Sequence, residues 1–118
     1  MAKITTEEEA LAAVRQDGWK LEYVPENLRT AKVCFEAVKQ GGMALRRGSP
    51  LQYVPEKLKT TELCLEAVKR DGWSLIHVPP GLKTVELCHE AVKQVGYDFG
   101  EVPEELRVEV FNKIKRGE

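Results

Sequence analysis

The chain repeats itself, and that repetition restricts its fold more than any other property of the sequence. "TAKVCFEAVKQGG" (Thr30 to Gly42), "TTELCLEAVKRDG" (Thr60 to Gly72) and "TVELCHEAVKQVG" (Thr84 to Gly96) align residue for residue, and "TEEEALAAVRQDG" (Thr6 to Gly18) is a weaker copy. The Val-Pro steps at Val24-Pro25, Val54-Pro55, Val78-Pro79 and Val102-Pro103 are spaced by 30, 24 and 24 residues. The unit is therefore 24 residues long, and one copy carries six more. The units run approximately over 5–28, 29–58, 59–82 and 83–106, within one domain spanning 1–118.

Each unit reads as a helical hairpin. Thr6, Thr30, Thr60 and Thr84 stand where an N-cap belongs, with hydroxyls able to accept from the first unpaired amides. Thr6 and Glu9 also fit a capping box. About eleven residues later comes a glycine, which is expected to close the helix in the left-handed conformation. In the third unit Leu63, Cys64, Ala67 and Val68 recur at helical spacing, Leu65 widens the stripe, and Glu66, Lys69 and Arg70 point away. A second, shorter helical segment should follow, such as "WSLIHV", ending before the proline. "PENL", "PEKL" and "PEEL" read as single turns with proline in the first position. Helices this short are marginal alone, so the units must stack to bury their stripes. "PEELRVEVFNKIKRGE" departs from the pattern, with Val108, Val110, Phe111 and Ile114 on an apolar side, and reads as a capping helix over 104–116. The fold class expected is all-α: four stacked two-helix units, an α-solenoid-like array, with a C-terminal cap.

The pattern "TELCLEAVKxxGxxLxxVPxxLKT" resembles a bacterial family of short α-helical repeats known only as a domain of unknown function. Thr60 to Leu82 matches almost throughout, and Thr30 to Leu58 matches apart from the extra residues. Thr84 to Leu106 departs at His89, which replaces a leucine, and at "YDFGE". The resemblance implies a stacked helical array and carries no catalytic residues to transfer.

Composition narrows the function. Hydrophobic residues make up 42% of the 118 and charged residues 31%, a soluble globular balance. The net charge of −1 creates no global field toward nucleic acid or anionic lipid. No apolar run reaches the roughly 20 residues of a membrane span, and the acidic N-terminus is unlike a signal peptide. Three cysteines, an odd number, suit a reducing, cytoplasmic setting. Cys34, Cys64 and Cys88 share one position in the unit, and Ala10 fills it in the first copy, so they read as small core residues rather than as metal ligands. There is no HExxH, CxxC, GxGxxG or phosphate loop. No enzyme, metal or cofactor is expected.

Recognition of another protein is the expectation that remains. The aromatic columns Trp19, Met43, Trp73, Tyr97 and Tyr23, Tyr53, His77 are core or contact surface. His89 is a partly exposed stripe residue or a pH-sensitive contact. The columns Arg15, Lys39, Lys69, Lys93 and Arg29, Lys59, Lys83, Arg107 could track phosphates. Neighbouring glutamates such as Glu36 and Glu66 offset them, so a solvated face of ion pairs is preferred to nucleic-acid binding. The break in rhythm falls at "RRGSPL", from Arg46 to Leu51. Its turn formers predict a projecting loop, with Arg46 and Arg47 as candidate contacts if the loop is more than a tolerated insertion. The expected partner is an unidentified protein, with nucleic acid the less favoured alternative and no membrane. The chain is expected to be a monomer or a weak homo-oligomer, self-association through an incompletely capped end of the stack being a further alternative.

Overall fold

The computed structural model describes residues 3–41, 50–95 and 99–118. It is all-α, and no strand occurs among the described residues. Four ten-residue helices recur in step with the sequence units: α1 (Glu7–Gln16), α2 (Ala31–Gln40), α3 (Thr61–Arg70) and α4 (Val85–Gln94). A fifth, α5 (Arg107–Lys115), follows. Successive α-helices pack on one another in chain order, giving a body 49 × 27 × 19 Å.

The caps lie where the threonines predict them. The hydroxyls of Thr30, Thr60 and Thr84 accept from the amides of Val33, Leu63 and Leu87 at 3.3, 3.1 and 3.2 Å. Thr6 and Glu9 form the reciprocal capping box. The stripe is also as expected: Leu63, Cys64, Ala67 and Val68 are buried, and so are their counterparts Val33, Cys34, Ala37 and Val38.

In each of the first three units the second half differs from the α-helix of a two-helix hairpin. It is a 3₁₀-helix, Gly18–Tyr23 in the first unit and Gly72–His77 in the third. The reason lies in its period. Side chains three apart eclipse one another in a 3₁₀-helix, and Gly18, Leu21 and Val24 are all buried, as are Gly72, Leu75 and Val78. An α-helix would rotate that triplet off the core. The Pro-Glu turns are short 3₁₀ segments too, with Pro25, Pro55 and Pro103 at the N-cap rather than inside the first turn.

The glycines also work differently from a left-handed cap. Gly41, one residue before the repeat glycine Gly42, has a positive φ of 66°, but Gly18 and Gly72 do not, and Gly42 and Gly96 lie outside the described residues. Gly18 and Gly72 are buried because the next unit presses on them. A Cβ at Gly18 would lie 2.1 Å from the Ala37 carbonyl oxygen, and one at Gly72 would lie 2.7 Å from that of Ala91. Helix closure falls instead to Asp17 and Asp71. Each ends its α-helix in an extended conformation, and its carboxylate accepts from the amide of Trp19 or Trp73 at 3.0 and 2.9 Å, starting the 3₁₀-helix.

Two further expectations change. Pro50 and Leu51 are not part of a projecting loop. They open the 3₁₀-helix Pro50–Tyr53, and Leu51 is fully buried at the position of Leu21 and Leu75. The extra residues thus precede Pro50, and Arg46 and Arg47 lie outside the described residues, as do Met43 and Tyr97. The C-terminal cap begins as a 3₁₀ turn, Glu104–Leu106, that runs directly into α5. Its apolar residues divide: Val110 is buried and Ile114 half-buried, while Val108 and Phe111 face solvent.

The glycine contacts predict an asymmetric response to alanine. Gly18→Ala and Gly72→Ala should each lower stability by about 2–3 kcal/mol, the cost of forcing a packed backbone apart. Gly81→Ala should be nearly neutral, because nothing lies within 4 Å of a Cβ there. Urea unfolding of the three variants measures this.

Candidate functional site

The second cationic column is not a solvated face. Arg29, Lys59 and Lys83, each the first residue of its unit, donate to a carbonyl near the end of that same unit. Arg29 donates from Nε to the Val24 carbonyl at 2.8 Å, from Nη1 to Tyr53 at 2.9 Å and from Nη2 to Glu22 at 3.2 Å. Lys59 Nζ donates to the His77 carbonyl at 3.0 Å, and Lys83 Nζ to that of Glu101 at 2.9 Å. Tyr53, His77 and Glu101 occupy one position of the repeat, so the same latch recurs in these three units. Arg107 Nε bonds the Val102 carbonyl at 3.0 Å, matching the Arg29 contact to Val24. Burial fits this role: Lys59 is only 9% exposed. The other column, Arg15, Lys39, Lys69 and Lys93, is exposed. Within it Arg15 pairs with Glu36 at 3.6 Å across the first junction.

The aromatic columns are divided between core and surface by what covers them. Trp19 is 4% exposed because Tyr53 of the next unit seals it, ring centroids 6.2 Å apart and planes at 81°. Tyr53 is held in turn by its hydroxyl, which donates to Glu22 at 3.0 Å, and by the Arg29 guanidinium 6.0 Å above its ring. The equivalent of Trp19 in the third unit is Trp73, and Glu101 holds the position of Tyr53 in the unit that follows it. Trp73 is 41% exposed. Three residues on, eclipsing it along the 3₁₀-helix, stands Ile76 at 59% exposure. His77 is half-buried beside them. Trp73, Ile76 and His77 therefore come together on one short helix at the surface. Tyr23 is exposed on the first unit. Trp19 belongs to the core, and so does His89, which is 9% exposed with Nε2 2.8 Å from the Glu118 backbone oxygen. Arg46, Arg47 and Tyr97, the other sequence candidates, lie outside the described residues.

Ile76 is the residue that sequence reasoning missed. The signal was present: Glu22 and Gln52 hold its position in the preceding units, so an isoleucine there stands out against the repeat. Phe35, exposed where Leu11 is buried, is a second such departure.

Among the described residues no group of three His, Cys, Asp or Glu side chains could hold a metal ion. Cys34, Cys64 and Cys88 are unpaired and buried, each in the core of its own unit. Burial pushes all three thiols up to about 11, against the smaller opposing pull of Arg29, Lys59 and Lys83. The His77 ring is shifted the other way, below the ordinary histidine value of 6.5. Burial is the larger cause and the Lys59 ammonium the next, with Glu101 opposing.

A family model described as "Domain of unknown function (DUF4116)" matches residues 6–50 and 45–83. The chain belongs to this family. The two matched segments overlap at 45–50, across the break in the repeat, and the match ends one residue before the Thr84 cap of α4. The DUF4116 match thus spans the first three units, and the fourth, with His89 and Glu101, lies beyond it. No curated protein and no solved structure matches the chain. No helix among the described residues is long and apolar enough to cross a membrane.

Two measurements probe this chemistry. At pH 8 the folded protein should react with a thiol reagent at a rate set by unfolding, all three thiols becoming available together in denaturant. The His77 shift has a definite sign. The folded state prefers the neutral ring, so its contribution to stability is full above pH 6.5 and is lost as pH falls below that value. His77→Tyr, which restores the residue of Tyr23 and Tyr53, should remove this component, seen as a flatter melting-temperature profile below pH 6.5.

Proposed function

We propose that this chain is a protein-binding module without catalysis, a small α-solenoid that presents a surface rather than a reaction centre. The observation that carries the reading is the contrast between two equivalent tryptophans. Trp19 is sealed under Tyr53, whereas Trp73 is 41% exposed and Ile76, on the same short helix, 59% exposed. A repeat that buries this column in one unit and exposes it in another concentrates apolar area at one place. Aromatic side chains with an aliphatic neighbour are the common anchors of protein interfaces. His77 and Glu101 supply polar groups at the edge of the patch, as an interface rim requires. The reading includes a reducing, cytoplasmic setting, in which three unpaired buried thiols are stable.

Nucleic-acid binding is less favoured by the same observations. One of the two cationic columns is engaged with backbone carbonyls, which leaves few cations to follow a phosphate chain.

The test is crosslinking and affinity capture from native extract, comparing the unmodified chain with Ile76→Glu and with Lys93→Glu as an exposed control. Ile76→Glu should weaken a specific partner by tenfold or more, at unchanged melting temperature, and Lys93→Glu should not. A partner retained equally by all three proteins, or a metabolite turned over by the purified chain, overturns the reading.

A further inference from the structure

The sequence predicts a face of ion pairs on the long helices, and on α2 and α3 that face is left incompletely paired. Arg15, Lys39, Lys69 and Lys93 hold one position on the four long helices, and all are exposed. Successive helices pack on one another, so these cations form a row across the array, carried on axes about 8–10 Å apart. At the first junction Arg15 reaches forward to Glu36 of the next helix at 3.6 Å. The same reach from Lys39 to Glu66, and from Lys69 to Glu90, is not made. Glu66 pairs instead with Arg70 of its own helix at 3.5 Å, and Glu90 accepts from Gln94 Nε2 at 3.2 Å. Lys39 and Lys69 therefore form no ion pair among the described residues.

Four residues before each cation, and so on the same face of its helix, stands a mostly apolar position. In the first unit it is closed, because Leu11 is buried. In the fourth it is His89, buried against the Glu118 backbone. Between them it is open: Phe35 is 43% exposed and Leu65 is half-buried. Lys32, three residues before Phe35 and also exposed, adds a third cation. The carboxylates of this face are Glu36, Glu62 and Glu66, and two of the three are already paired. Unpaired cations and exposed apolar area thus coincide on two adjacent helices and nowhere else along the row.

We propose that the outward face of α2 and α3 binds an acidic, amphipathic segment of a partner protein, with its carboxylates on Lys39 and Lys69 and an aromatic or large aliphatic side chain on Phe35 and Leu65. The charges favour a peptide over a nucleic acid. A nucleic-acid strand carries a phosphate at every nucleotide and meets Glu62 on the same face, whereas a peptide places carboxylates only where the lysines stand. The dimensions agree, since a helical segment of about twelve residues is about 18 Å long, enough to cross both helices. The face shares no residue with the Trp73 patch and does not depend on that patch binding a partner.

A displayed library of random peptides of about twelve residues, selected on the full chain carrying Ile76→Glu, tests this. The substitution removes peptides held by the Trp73 patch. Enriched peptides should be net acidic and carry an aromatic or large aliphatic residue. In fluorescence anisotropy titrations, Lys39→Glu combined with Lys69→Glu should weaken them by about tenfold or more, because like charges then meet. Phe35→Ser should cost about the same factor, and Lys93→Glu should leave affinity within about twofold. All four side chains are exposed, so melting temperatures should hold. Should the double reversal lower it, Lys39→Ala combined with Lys69→Ala takes its place. Three results overturn the proposal: a selection that yields no peptides or only basic and neutral ones, acidic peptides that bind the lysine variants undiminished, or a single-stranded oligonucleotide that displaces the peptides at equal concentration.

Discussion

Backbone meets backbone where one unit touches the next, and this contact is possible only at glycine. The Ala37 carbonyl sits where a side chain on Gly18 would have to be, and the Ala91 carbonyl does the same at Gly72. Much else in the unit accommodates that approach. The α-helix must end just before the glycine, which Asp17 and Asp71 accomplish while starting the following turn. The turn must keep glycine, leucine and valine on one inner edge, which a period of three does and a period of 3.6 does not. The buried glycine amide must find an acceptor, which Gln94 supplies at Gly72.

The charged and aromatic columns are a second consequence of the same spacing. Carbonyls at the end of each 3₁₀-helix are left without intrahelical partners, and unpaired buried carbonyls are costly. Arg29, Lys59 and Lys83, each at the start of its unit, serve carbonyls near that unit's end, and Arg29 also bonds the Val24 and Glu22 carbonyls of the preceding unit. The difference between arginine and lysine also matters. The Arg29 fork satisfies three carbonyls, whereas Lys59 reaches one and adds Glu56 at 2.7 Å. Once the latch is fixed, the residue whose carbonyl it takes is free to vary in side chain. Tyrosine at that position seals Trp19 in the first unit, and the fourth unit carries glutamate there.

The units, their helices, the threonine caps and the apolar stripe were legible because each depends on residues near in sequence and repeated at fixed intervals. The 3₁₀ form of the second segment was less so, because six residues give too little pattern to separate a period of three from 3.6 without knowing which face is inward. The roles of Gly18 and Arg29 were hidden for another reason. Both are set by what arrives from 19 to 24 residues away, and glycine after a helix or arginine in a charged run has a commoner local explanation. Leu51 shows the limit of aligning from one side. Counted from the α-helix it falls in the insertion, but counted back from Val54 it is the core leucine.

The candidate contact residues were partly misassigned by treating each column as uniform. A column in a repeat is a set of equivalent places, and equivalence fixes where a side chain points but not what lies over it. Trp19 and Trp73 share a backbone setting and a capping aspartate, yet one is core and the other surface. The informative positions are those where a unit departs from its neighbours while its backbone does not. Glu101 opposite Tyr53, Ile76 opposite Glu22 and Phe35 opposite Leu11 all meet that condition. Ile76 and Phe35 are exposed apolar side chains, and the proposed recognition role would use such positions, because a repeat fold can vary them one at a time while the glycine contacts hold the frame.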